Sequence, residues 1–329
     1  MRKQLCDALL ERSSKPDMVF LTGDLGFMAL EPLQEGMGPR FINAGVAEQN
    51  MVSVATGLAN QSLEVWLYSI APFCYARPFE KIRNDICFRQ LPVKLIGNGG
   101  GYGYGVMGPT HHAIEDYGVL LRLPNMCVFV PIFDKDVPAV ISRAGDCATA
   151  AYIRLGPGEP PKGYAVPAYA PWRQLCSGDG PVVIAVGPLA STYIETFEQM
   201  SSSSRPNFWA VSELPIEKNP FPAELLAQIQ SASLLCVAEE HVSQGGFASE
   251  LVLYLTSQGI ALPRFVHLHA LAHHYSHYGS QATGAMLPSN VTRICAAHAQ
   301  RRTTPSSRRS GGSGRLICGS TVRIRSGSK

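Results

Sequence analysis

The sequence predicts an α/β fold of two domains, each built on a mostly parallel sheet flanked by helices. Three observations carry this. Short apolar runs alternate with helix-like segments from Met18 to Leu268, the pattern of repeated βαβ units. A Gly/Pro-rich stretch, Gly156-Pro157-Gly158-Glu159-Pro160-Pro161 with prolines again at 167 and 171, interrupts that alternation and marks a break between domains. The 329 residues, 46% hydrophobic and 16% charged, have the composition of a chain with a buried core, long enough for about two domains at roughly 100–200 residues each.

The first domain is expected over 1–158. Met18–Thr22 is a strand that runs into a Gly-Asp-Leu-Gly turn, and Phe41–Ala44 is short and extended. Ala47–Asn60 places small and apolar residues at helical spacing. Val65–Ile70 is a strand, Phe73–Arg89 a helix charged on one face, and Pro92–Ile96 a strand leading into a glycine-rich loop from Gly97 to Gly108. Ala113–Arg122 reads as a helix, Met126–Val130 as a strand, Asp134–Ala144 as a helix and Ala151–Arg154 as a strand. A linker is expected over 159–178. The second domain, 179–290, has candidate strands Val182–Val186, Phe208–Val211, Leu234–Ala238 and Pro263–Leu268, and candidate helices Ala190–Met200, Ala223–Ser231 and Phe247–Ser257. Residues 291–329 are Ser/Arg/Gly-rich without apolar periodicity and are expected to be a basic, disordered tail.

The formal charge of +3 hides an asymmetry. The tail holds nine Lys/Arg and no Asp or Glu, leaving 19 basic against 25 acidic residues in 1–290. A mildly acidic body gives no reason to expect nucleic acid or membrane as a partner. The nine cysteines are odd in number, scattered and without a C-x-x-C pair, which argues against a disulfide framework or a zinc site and for reduced thiols. The amino-terminal apolar run is short and broken by charge, and no run of about 18 apolar residues occurs. The expectation is a cytoplasmic protein.

The most informative stretch is Phe41 to Leu58, FINAGVAEQNMVSVATGL. It sets one acid, Glu48, at the start of an otherwise small and apolar helix. From spacing alone, a carboxylate there reads first as a charge partner for the helix amino terminus, worth a few tenths to about 1 kcal/mol.

The wording adds to this. Gly45-Val46-Ala47-Glu48-Gln49-Asn50-Met51 followed by Gly57-Leu58-Ala59 resembles the pyrimidine-binding segment of transketolases. Thr22-Gly23-Asp24-Leu25, Phe73-Cys74-Tyr75-Ala76-Arg77 with Glu80-Lys81-Ile82-Arg83, and Gly108-Pro109-Thr110-His111-His112 are similar to further blocks of that family, as are Leu123-Pro124-Asn125-Met126 and, in the second domain, Val237-Ala238-Glu239-Glu240-His241 with Gly245-Gly246. The resemblance runs from about residue 3 to 285 and keeps the family order.

That resemblance implies a thiamine diphosphate-binding fold, with a pyrimidine domain followed by a transketolase carboxy-terminal-like domain. Glu48 matches the glutamate that bonds the aminopyrimidine ring nitrogen, which suits a carboxyl with a raised pKa in an apolar pocket. Phe73 and Tyr75 match aromatics that stack on the pyrimidine, with core packing as their ordinary alternative. Asp24 matches an aspartate near the cofactor, although a turn role fits it equally. His111 matches a loop histidine that contacts substrate oxygens, and His112 a neighbouring substrate-side position. The implied activity is transfer of a two-carbon ketol unit between a ketose donor and an aldose acceptor. The implied cofactors are thiamine diphosphate and Mg²⁺.

The diphosphate-binding domain of the family has no match. Gly178-Asp179-Gly180 with Asn207 imitates its metal motif, but this GDG runs directly into the strand at Pro181–Val186 instead of opening a helix. Gly103 to Gly108 likewise fits G-x-G-x-x-G, but it runs into Pro109 and not into a helix. No metal ligand is therefore assigned to this chain. A separate amino-terminal subunit is expected to carry the diphosphate domain and the Mg²⁺ ligands, in a heterotetramer. Met107, Pro157 and Gly99 stand where the family usually has an aspartate, a phosphate-clamping arginine and a histidine, which points to a sugar substrate unlike the standard pentose phosphates. Three alternatives remain at this point: the beta subunit of a 2-oxoacid dehydrogenase first component, a 1-deoxyxylulose 5-phosphate synthase-like enzyme, and a non-catalytic assembly subunit.

Overall fold

A computed structural model of the chain describes residues 1–270. Its twelve strands are β1 Met18–Thr22, β2 Phe41–Asn43, β3 Glu64–Ile70, β4 Lys94–Asn98, β5 Met126–Phe129, β6 Ala150–Leu155, β7 Trp172–Cys176, β8 Val182–Val186, β9 Asn207–Val211, β10 Glu213–Leu214, β11 Leu234–Ala238 and β12 Arg264–Leu268. The α-helices are α1 Arg2–Arg12, α2 Glu31–Met37, α3 Glu48–Ala59, α4 Ala71–Tyr75, α5 Phe79–Lys81, α6 Asp116–Leu120, α7 Val137–Asp146, α8 Ser191–Glu198, α9 Ala223–Ser231 and α10 Phe247–Ser257.

They build two sheets. The first has seven strands in the order β10-β5-β6-β4-β3-β1-β2, parallel except for β10. The second has five, in the order β12-β11-β8-β9-β7, parallel except for β7. Burial on both faces explains the apolar runs of β1 and β8; β4 and β6 are buried throughout as well, although they carry Lys94, Asn98 and Arg154. One face of the first sheet packs on α1, α2 and α7 through Leu5, Leu9, Leu33 and Val140. The other packs on α3, α4 and α6 through Met51, Val52, Cys74 and Tyr117, and this core continues into the second sheet at Ile184 and Trp209 and into α10 at Leu251.

Three expectations are corrected, and one strand, β10, was not expected. The helix expected over Phe73–Arg89 is broken into α4, α5 and a π-helical turn at Ile82–Cys87, because Pro78 lacks the N–H that would continue α4. The expected linker 159–178 contains β7, an antiparallel edge strand that no βαβ rhythm announces. β10, two residues long, leaves the second domain's sequence to pair with β5 of the first sheet. The helix expected from Ala113 starts only at Asp116. The expected tail lies outside the described residues.

The seam between the sheets is polar and paired. Arg154 at the end of β6 is buried, with its Nε 3.3 Å from Asp116 Oδ2 and Nη2 donating to the Glu240 carbonyl at 2.9 Å. Tyr152 donates its hydroxyl to the same Asp116 carboxylate at 2.9 Å. Glu239 accepts from the backbone N–H groups of Phe247 and Ala248 at the start of α10, and meets His267 Nε2 at 2.7 Å. Burial alone would raise its pKa. The His267 hydrogen bond and neighbouring His241 outweigh burial and hold it below the ordinary value.

Candidate active site

The parallel strands β1, β2, β3 and β4 all end on one edge of the first sheet, where an α/β fold places its ligands. Gly45, with φ +70°, turns the chain from β2 toward α3, a backbone region that glycine adopts freely. Glu48 then opens α3 and is 3% exposed. Its Oε1 accepts a hydrogen bond from the Ser69 hydroxyl at 3.3 Å, and its Oε2 accepts one from Arg77 Nη1 at 2.8 Å.

Arg77 was not singled out by the sequence, yet it organises this corner. Its guanidinium lies 3.8 Å from the Phe73 ring centroid, a cation–π contact, while bonded to Glu48. One planar N–H-bearing group thus meets an aromatic face and a carboxylate at once. Phe73 and Arg77 are one helical turn apart, the spacing at which side chains meet; that spacing is the signal that could have found the pair. Val46, Ala47, Gln49 and Lys81 complete a cavity of about 570 Å³ over Glu48 and Arg77.

His111 adjoins Phe73. It ends a short 3₁₀ turn, Pro109–His111, and its ring meets Phe73 edge-on at 5.0 Å between centroids. Nδ1 is 2.9 Å from the Thr110 hydroxyl. Burial, then the charge of Arg77, lowers its pKa, so the ring is neutral at pH 7. Asp24 sits in a left-handed turn at the end of β1, φ +59°, and accepts a hydrogen bond from Asn43 at 2.8 Å. The adjoining Gly23 comes within reach of Glu48: a Cβ there would lie 3.6 Å from Oε1.

Two expected site residues are not brought to this cluster. Tyr75 is buried in the core and donates its hydroxyl to Glu115 at 3.3 Å. Two residues past Phe73 on a helix, it points to a different face. His112 is buried edge-on against Tyr102, 5.0 Å between centroids, in a cluster with Ile114 and Ala270. The chain turns extended there, ψ 139°, and the two histidine side chains part. The Gly178 N–H donates to the side-chain oxygen of Asn207, at the start of β9, at 3.5 Å. Arg154, the arginine nearest in sequence to Pro157, is committed to the seam.

The family model for the transketolase pyrimidine binding domain matches residues 7–156. Residues 7–156 therefore carry a transketolase pyrimidine binding domain. It is 32% identical over 165 residues to an apulose-4-phosphate transketolase subunit of Phocaeicola vulgatus, covering 50% of this chain and 53% of that protein. It is 33% identical over 157 residues to a putative transketolase C-terminal section of Methanocaldococcus jannaschii, covering 47% and 50%. A solved split-gene transketolase, described as an inactive β4 tetramer, superposes with a TM-score of 0.74 at 26% identity, covering 91% of this chain and 97% of that one. The chain spans about half the length of the two curated relatives it matches here.

That domain family implies thiamine diphosphate use. The residues present fit its aminopyrimidine, because Glu48 and Phe73 already receive a flat nitrogenous group in the form of the Arg77 guanidinium. Among the described residues no helix is long and apolar enough to cross a membrane.

Proposed function

We propose that this chain is the carboxy-terminal subunit of a split transketolase, transferring a two-carbon ketol unit from a ketose donor to an aldose acceptor. The observation that carries this reading is the Glu48–Phe73–His111 cluster at the carboxyl edge of β2, β3 and β4.

Thiamine diphosphate, when bound, supplies the nucleophilic carbon that carries the transferred unit. Glu48 would hold the aminopyrimidine ring nitrogen and share its proton, from a position where burial strengthens the bond. Phe73 would cover the ring face, and Arg77 would turn away to admit it. Its 43% exposure leaves room to do so. His111, neutral and edge-on to Phe73, would hold or move a proton at a sugar hydroxyl. Asp24 would line the same edge.

A separate amino-terminal chain would supply the diphosphate-binding domain and the Mg²⁺ ligands, in a heterotetramer. Phe27, Met28, Val46, Val106 and Met107 support this: all are exposed apolar side chains on the loops that leave the same strand ends. The inactive β4 tetramer that this chain resembles supports it as well. The substrate is expected to depart from the standard pentose phosphates, since Arg154 is held in the seam; the Phocaeicola vulgatus relative is named for apulose 4-phosphate. Assaying the chain with a candidate partner against phosphorylated and unphosphorylated ketoses tests the reading. A strong preference for xylulose 5-phosphate would overturn the substrate part of it.

A further inference from the structure

A second cavity, of about 410 Å³, lies on the opposite edge of the seven-stranded sheet, where β10 joins β5. Cys127 of β5 and Cys147, just past α7, both line it, with Arg143, Asp146, Glu213 and Lys218. Two polar groups approach the Cys127 sulfur in this cavity that it shares with Cys147: Lys218 Nζ donates to it at 3.4 Å, and the Thr149 hydroxyl is 3.8 Å away. The other charges are engaged elsewhere. Arg143 pairs with Glu213 at 2.6 Å, Asp146 with Arg12 at 3.1 Å, and Lys94 bonds the Cys147 and Thr149 carbonyls at 2.7 and 2.9 Å.

We infer that Cys127 and Cys147 form a peroxide-sensitive dithiol, with Cys127 as the attacking thiolate, Lys218 as its counter-charge and Cys147 as the resolving thiol. The direction of titration agrees. The neighbouring Cys147 thiol first, and Lys218 with it, hold the Cys127 pKa below the ordinary thiol value against the opposing effect of burial. Cys147 is pushed up by its Cys127 neighbour and by burial. Burial raises Cys6, Cys74, Cys87 and Cys176 instead.

The chemistry balances with a hydroperoxide as oxidant. The Cys127 thiolate attacks the peroxide oxygen: an S–O bond forms, the O–O bond breaks, and the leaving hydroxide takes up a proton to become water when the oxidant is hydrogen peroxide. The Cys147 sulfur then attacks the sulfenic sulfur, and its proton leaves with the expelled hydroxide as a second water. Two thiols become one disulfide, losing two protons and two electrons.

Alkylation of the full-length, reduced protein by iodoacetamide, followed peptide by peptide in the mass spectrometer, tests this. An ordinary thiol of pKa about 8.5 gains roughly 75-fold in rate from pH 6 to pH 8 as its thiolate fraction grows. Cys127 is expected to change less than about threefold over that range, and Lys218→Met to restore part of the dependence. One equivalent of hydrogen peroxide is expected to join the peptides bearing Cys127 and Cys147 with loss of two hydrogens. In Cys147→Ser the reaction should stop at a dimedone-trappable sulfenic acid on Cys127. A Cys127 rate that climbs with pH like that of Cys176, or peroxide that leaves both thiols free, would overturn the inference. Both wild-type measurements stand without the variants.

Discussion

Glu48→Gln separates a catalytic acid from a helix-capping charge. In the folded chain the carboxylate accepts one bond from Ser69 and one from Arg77. The amide can keep both: its oxygen faces the guanidinium, and its nitrogen donates to the Ser69 hydroxyl. The loss is therefore the Coulomb attraction to a partner that is 43% exposed, worth at most about 1 kcal/mol. Relief of the desolvated charge offsets part of that. Urea unfolding of the chain should show a change within about 1 kcal/mol, since no hydrogen bond is forfeited. Ketol transfer by the assembled pair should fall by about 10²–10⁴-fold, the usual contribution of a positioned acid or base. Unchanged turnover would refute a catalytic Glu48 and favour a non-catalytic subunit. A stability loss of several kcal/mol would refute the claim that the site bears its charge at small structural cost.

Phe73→Ala should weaken thiamine diphosphate binding by the assembled pair by about tenfold, the loss of a stacking face. Tyr75→Phe should leave it within about twofold, because that hydroxyl meets Glu115 in the core; isothermal titration distinguishes the two. Arg154→Met strands the buried Asp116 carboxylate and should cost about 3–5 kcal/mol in chemical unfolding. Glu250 is raised to about 7, mainly by burial. The folded group holds its proton where the unfolded group has lost it, so stability declines as pH rises from about 4.5 to about 7 and is level above. Glu250→Gln keeps the acceptor for the Ile216 N–H and should remove that decline, gaining roughly 2 kcal/mol at pH 8 in unfolding experiments.

The sheets were readable because parallel strands buried on both faces are plain apolar runs. The isolated helices Ala223–Ser231 and Phe247–Ser257 were readable to the residue, their neighbours being Pro222 and Gly246. Antiparallel additions were not: β7 hides behind a Pro-rich stretch, and β10 is too short to carry a period. At the site, wording located the positions but not their rotation. Glu48, Phe73 and His111 converge, whereas Tyr75 and His112 are turned away by helical and extended backbone geometry that a motif does not encode. Arg77 went unremarked because its role depends on folding back over Phe73 onto an acid distant in sequence.

The central claim is that this chain holds one wall of a site completed by another chain. Ketol transfer from a ketose to an aldose, measured with thiamine diphosphate and Mg²⁺, tests it most directly when this chain, the amino-terminal partner and their mixture are assayed side by side. Turnover is expected in the mixture alone, and is lost when the mixture carries Glu48→Gln. Full turnover by this chain without a partner would contradict it, as would a stoichiometric complex in which the wild-type mixture performs no better than either chain.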